Sequence, residues 1–140
     1  MQIPAVETFR LEPGPGYGPW WSTDPPAAGF TLRLPPGEIY DFFNDDPAPH
    51  ELSYRLATTV LSRLDELTAR AVEFLHGVAG QRREGMSGEP YLLVVECDAR
   101  AERVTLEMAW EADVYAAWSV SFTWPDEARA RPVAMAYRLR

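Results

Sequence analysis

Three features of this sequence predict an α+β fold, with one long helix packed on a mostly antiparallel sheet of about five to six strands. Between His50 and Gly80, apolar residues recur at spacings of three and four: Leu52, Leu56, Val60, Leu64, Leu67, Ala71, Phe74 and Val78. That is the period of a helix burying one face. On either side the period changes to two, as in Val114–Trp124, where Val114, Ala116, Trp118, Val120, Phe122 and Trp124 share a face. Between residues 12 and 29, proline and glycine are too dense for regular structure, so this segment reads as a loop. The expected organisation is a single domain over residues 1–140, with the loop at 12–29, the helix at 50–80 and a four-strand antiparallel meander at 91–139.

Taken in order, Val6–Leu11 is a short strand candidate. The loop that follows carries Tyr17, Trp20 and Trp21. The two tryptophans either fold back to fill a gap in the core or stand out as recognition aromatics, which are enriched at binding hot spots. Glycines at 14, 16 and 18 do not make a phosphate loop, because no Lys-Ser/Thr follows and no helix opens there. Phe30–Leu34 alternates and ends at Pro35-Pro36-Gly37. Next comes an acidic, aromatic stretch, Glu38–Asp46, holding Tyr40, Asp41, Phe42, Phe43, Asp45 and Asp46, with no basic residue between Arg33 and Arg55.

The helix start is signalled by Asn44-Asp45-Asp46-Pro47, since an Asp accepts N–H bonds as N-cap and proline is tolerated in the first turn. Glu51–Arg55 and Glu66–Arg70 are i,i+4 pairs in the favourable order. His50 is expected on the surface at the N-terminus, and His76 near the C-terminus complements the helix dipole. Gly77 and Gly80 supply the stop. Nearly 30 residues at about 1.5 Å each span on the order of 40 Å, against a diameter of roughly 37 Å for a compact chain of this length. Such a helix must project, bend or be covered at its ends. Beyond it, Tyr91–Cys97 is apolar enough for a strand buried on both faces. Arg103–Trp110, Val114–Trp124 and Val133–Leu139 alternate. Their opposite face (Thr105, Glu107, Ala109, Tyr115, Ala117, Ser119, Ser121, Thr123, Ala134, Ala136 and Arg138) is small and weakly charged, which predicts that part of it is covered.

Composition narrows the function classes. A net charge of −8 disfavours nucleic acid and anionic membranes, which need clustered positive charge, and permits a basic protein partner. All 13 basic residues are arginine, which with abundant alanine, proline and glycine suggests a GC-rich bacterial genome. The lone cysteine, Cys97, excludes an intrachain disulfide and reads as a buried, inert thiol. The N-terminus lacks a basic region followed by an apolar run, and no stretch approaches a membrane span, so the cytoplasm is the expected location.

No catalytic, cofactor or metal signature emerges. His50 and His76 lie too far apart along the helix to act together. Asp41, Asn44, Asp45 and Asp46 lack the spacing and glycine of a calcium loop. Glu96, a carboxylate in an apolar strand, needs a partner such as an arginine if buried, or acquires a raised pKa if it lines a cleft. Enzymatic activity is not favoured. The candidate interaction surface is Tyr17, Trp20, Trp21, Tyr40, Asp41, Phe43, Asp45 and Asp46, which combine aromatic anchors with steering charge.

The acidic run Asp41–Asp46 before the helix, with the Arg103–Trp124 hairpin after it, resembles the layout of small acidic bacterial immunity proteins of polymorphic toxin systems and related families of unknown function. The resemblance is one of size, charge and element order. It implies a non-catalytic protein-binding domain, an immunity or regulatory protein that occludes a basic partner. Two other classes stay open: a small-molecule-binding or enzymatic domain with a pocket between helix, sheet and tryptophan loop, and a homodimer joined through the sheet face or an edge strand.

Overall fold

The stretch expected to form one long helix folds as two: α1 spans Glu51–Ser62 and α2 spans Leu64–Ala79. In this computed structural model, residues 5–13, 20–23, 29–37, 48–79, 89–110, 113–125 and 134–139 are described. The interruption falls at Arg63, whose backbone (φ −122°, ψ 15°) leaves the helical region and whose N–H reaches back to Val60 O at 3.0 Å. The cause is visible just upstream. Thr58 Oγ1 donates to Tyr54 O at 3.3 Å and Ser62 Oγ donates to Thr59 O at 2.6 Å. Hydroxyls that bond back to helical carbonyls compete with the ladder and bend helices. Leu67 N–H then donates to Arg63 O at 3.0 Å, which restarts the ladder. The Arg63 guanidinium forks onto Glu66, Nε to Oε2 at 3.1 Å and Nη2 to Oε1 at 2.9 Å, in the first turn of α2.

Among the described residues the sheet has seven strands in sequence order: β1 (Glu12–Pro13), β2 (Trp21–Ser22), β3 (Thr31–Leu34), β4 (Pro90–Asp98), β5 (Arg103–Trp110), β6 (Asp113–Thr123) and β7 (Ala134–Leu139). Two of these are only two residues long, and the five-strand body β3–β7 is mixed rather than purely antiparallel. β3 runs parallel to β4, with Thr31 beside Val94 and Arg33 beside Glu96. Parallel neighbours need a crossover of a dozen or more residues, and α1 with α2 is that crossover. From β4 to β7 every pairing is antiparallel, giving the four-strand meander.

Three smaller expectations change. Within Val6–Leu11 the chain forms a short 3-10 turn, Val6–Thr8, closed by Thr8 Oγ1 donating to Ala5 O at 2.6 Å. The segment 12–29 contributes β1 and β2 to the sheet edge. Tyr91 and Leu93 in β4 are 48% and 39% exposed, so the start of that strand is not buried on both faces. The irregular register between Leu92 and Val94 places Leu93 at a bulge there.

The core lies between the helix pair and one sheet face. Leu56, Ala57, Val60, Leu61, Leu64, Leu67, Ala71 and Leu75 are buried with Leu32, Leu34, Val95, Cys97, Val104, Leu106, Met108, Trp118, Val120 and Phe122. Trp110 meets Trp118 edge-on, ring centroids 6.0 Å apart, and the His76 ring meets Trp110 edge-on at 5.3 Å. The Arg70 guanidinium lies 5.9 Å from the centre of the Phe122 ring, a cation–π contact at the margin of this layer. On the opposite sheet face Ser119 is buried, and Thr105, Glu107, Ala109 and Ser121 are half-buried, with the Thr105 and Ser121 hydroxyls bonded across β5 and β6 at 3.1 Å. The side chains of Ala117, Ala134 and Ala136 lie outside those described.

The apolar stripe separates residues of equal size by burial. Leu67 is fully buried, so Leu67→Ala is expected to cost about 2–5 kcal/mol. Leu52, also in the stripe but 42% exposed, should tolerate alanine within about 0.5 kcal/mol. Urea unfolding of the two variants, read by tryptophan fluorescence, measures both.

Candidate functional site

β3 delivers the chain to Pro35, and α1 opens at Glu51. Between them, Pro36 bridges to Pro49 in antiparallel fashion. Gly37 N–H donates to Ala48 O at 2.7 Å and His50 N–H donates to Pro35 O at 2.8 Å. Gly37 sits so close that a Cβ there would meet Ala48 O at 2.9 Å, inside contact distance, so only glycine fits without a shift. These bonds clamp the two ends of the stretch 38–47 together. Tyr40, Asp41, Phe43, Asp45 and Asp46 belong to that stretch and, like Tyr17, lie outside the described residues.

α1 begins beside the carboxyl end of β4, and the junction is polar. His50, not an aspartate of the 44–47 run, is the N-cap, its Nδ1 accepting from Ser53 N–H at 3.3 Å. The same Nδ1 lies 2.9 Å from Ser53 Oγ. Ser53 is fully buried, and its Oγ accepts Ala99 N–H at 2.9 Å, tying the first turn of α1 to the turn after β4. That turn is closed by Asp98, buried, whose Oδ1 accepts from Arg100 N at 3.0 Å, Ala101 N at 3.3 Å and Arg100 Nε at 3.4 Å. Glu102 takes a left-handed backbone (φ 53°), and its carbonyl accepts Trp124 N–H at 2.6 Å. A serine next to a histidine invites a nucleophilic reading. Here Ser53 has no surface at all and its oxygen already holds a backbone amide, so the pair is a helix cap.

The remaining candidates separate. Trp21 packs half-buried on the core margin and pairs with Leu34, while Trp20 is half-buried beside it. Glu96 meets Arg33 Nη1 at 3.4 Å across the parallel pair, both partly screened from solvent, so this carboxylate has the cationic partner its burial calls for. Cys97 points into the core. Burial pushes its thiol above the ordinary value of 9.0, and the charge of Glu96 adds to the shift, so the unreactive thiol is the form present. His76 Nε2 lies 2.7 Å from Glu89 Oε2. Among the described residues no three His, Cys, Asp or Glu side chains converge as metal ligands, and no helix is long and apolar enough to cross a membrane.

Sequence reasoning passed over His50, Ser53 and Asp98 as structural residues. The available signal was Ser53 itself, a polar residue one turn before Ala57 on the face that faces the sheet. No family model, curated protein or solved structure matches the chain.

Two outcomes follow from this geometry. Ser53→Ala leaves the Ala99 amide without its acceptor in a buried site and is expected to destabilise the fold by about 1–3 kcal/mol in urea unfolding. Cys97 in the native protein is expected not to react with Ellman's reagent at neutral pH, and to react fully once urea unfolds the chain; rapid native labelling would contradict its placement.

Proposed function

We propose that this chain is a non-catalytic protein-binding domain, an immunity or regulatory protein whose acidic, aromatic stretch 38–47 engages and occludes a basic partner. The observation that supports it best is the clamp at the base of that stretch: the Pro36–Pro49 bridge, with the Gly37–Ala48 and His50–Pro35 bonds, fixes both ends against β3 and α1. A stretch held by its ends loses less entropy on binding than one free to wander. Tyr40 and Phe43 supply anchors, and Asp41, Asp45 and Asp46 supply charge that speeds encounter with a basic surface. The position also fits a general tendency, since ligands of sheets with parallel strands gather outside the strands' carboxyl ends, which is where β3 and α1 meet. The enzymatic alternative would employ Glu96 or Glu107, and of these Glu96 is engaged by Arg33.

The test is comparative capture of partners from bacterial lysate by the wild-type protein and by an Asp41→Arg/Asp45→Arg/Asp46→Arg variant, with retention of fold checked by circular dichroism. A basic protein held by the wild type, released by a salt step and lost with the variant supports the reading. Capture indifferent to both salt and charge reversal would sink it.

A further inference from the structure

Among the described residues, three carboxylates are buried or half-buried: Glu96, Asp98 and Glu107. Glu96 has Arg33 at 3.4 Å. Asp98 has Arg100 and two backbone amides. Glu107 engages none of the described residues by hydrogen bond or ion pair. A carboxylate turned partly away from water gains when a cation reaches it.

The register puts Glu107 on the sheet face opposite the helices, beside Val94 of β4 and Ser119 of β6. Ala109 follows it on the same face of β5, and Tyr91 pairs with Ala109. Tyr91 is 48% exposed, and Leu93, at the bulge between Leu92 and Val94, is 39% exposed. A bulge re-aims side chains. Here it leaves two large apolar residues in solvent next to a half-buried carboxylate whose neighbours on β5 and β6, Ala109 and Ser119, are small. We infer that this end of the sheet face docks an arginine side chain of a protein partner. Glu107 takes the guanidinium, and Tyr91 and Leu93 take the apolar groups beside it.

Arginine fits these groups better than lysine does. Its planar fork donates two parallel bonds to a carboxylate, and its face stacks on an aromatic ring. Its stem lies along apolar side chains while the charged head meets the carboxylate. The net charge of −8 draws a cationic segment toward the chain as a whole. The surface lies by Thr31, where β3 begins and pairs with Val94. The stretch 38–47 leaves from the other end of β3, so this inference does not rest on the proposed function. Arg138 of β7 pairs with Ser119 in register, and its side chain lies outside those described.

The probe is the blocked peptide acetyl-Leu-Arg-Leu-amide, with the citrulline peptide acetyl-Leu-Cit-Leu-amide as its uncharged isostere. Each is titrated into the folded protein and followed by nitrogen-15 amide shifts. Shifts are expected at Tyr91, Leu93, Glu107, Ala109 and Ser119, with the citrulline peptide binding about tenfold more weakly. Glu107→Gln should lose about the same factor for the arginine peptide and keep the citrulline affinity. Urea unfolding separates a docking carboxylate from a structural one. Glu107→Gln should keep the folding equilibrium constant within about twofold of wild type. A larger loss would give the carboxylate a cation within the chain, Arg138 foremost, and overturn the proposal. Absent shifts, shifts confined to other residues, or equal binding of the two peptides would also overturn it. So would a light-scattering mass that rises with concentration in wild type but not in Glu107→Gln, since that result seats a second copy on the face.

Discussion

The parallel pairing of β3 with β4 is the constraint on which the rest of this fold depends. Two parallel neighbours cannot be joined by a turn, so the chain must leave the end of β3, travel back along the sheet and re-enter at the start of β4. A continuous helix over Glu51–Ala79 would run for about 43 Å. β4, with nine residues, covers only about 30 Å. A straight rod would overshoot the strand it must return beside. The interruption at Arg63 divides this length into pieces of about 18 Å and 24 Å. Ser62 and Thr58 loosen the ladder just before it, and Arg63 with Glu66 secures the restart.

The same constraint explains which parts of the fold were legible in the sequence. The 3.6-residue period of Leu56, Val60, Leu64, Leu67, Ala71 and Leu75 survives a one-residue break because the buried face continues across it, so the pattern announced a helix without announcing its interruption. The alternation in Arg103–Trp110 and Val114–Trp124 likewise marked strands joined by short turns. Direction was not legible. Four residues of β3 alternate identically whether the neighbour runs with or against them, and only the spacing to β4 implied a crossover. The two-residue strands β1 and β2 are held in place by pairing with β3 and carry no propensity of their own. As for the candidate surface, Trp21 was open between core and surface in the sequence, and its pairing with Leu34 draws it to the core margin.

The helix cap was missed for a physical reason as well. Aspartates at 45 and 46 are better caps than histidine by intrinsic preference. Tertiary structure overrules that preference here, because the Pro36–Pro49 bridge sets where the chain can turn into α1, and His50 is the residue at that point. Ser53 then becomes part of the cap only because the β4–β5 turn brings Ala99 within reach. Neither contact can be read from local sequence.

Three buried polar side chains share one role. Thr23 Oγ1 accepts Leu32 N–H at 3.1 Å, Ser53 Oγ accepts Ala99 N–H, and Asp98 Oδ1 accepts the amides of Arg100 and Ala101. Each is spent on a backbone donor at the end of a strand or in a turn, where the regular ladder leaves one unpaired. Thr23, Ser53 and Asp98 have structural duties that account for their burial. Away from these sites Trp20 is half-buried, and the bonds joining Pro35 and Gly37 to His50 and Ala48 hold the flanks of the stretch 38–47 beside α1.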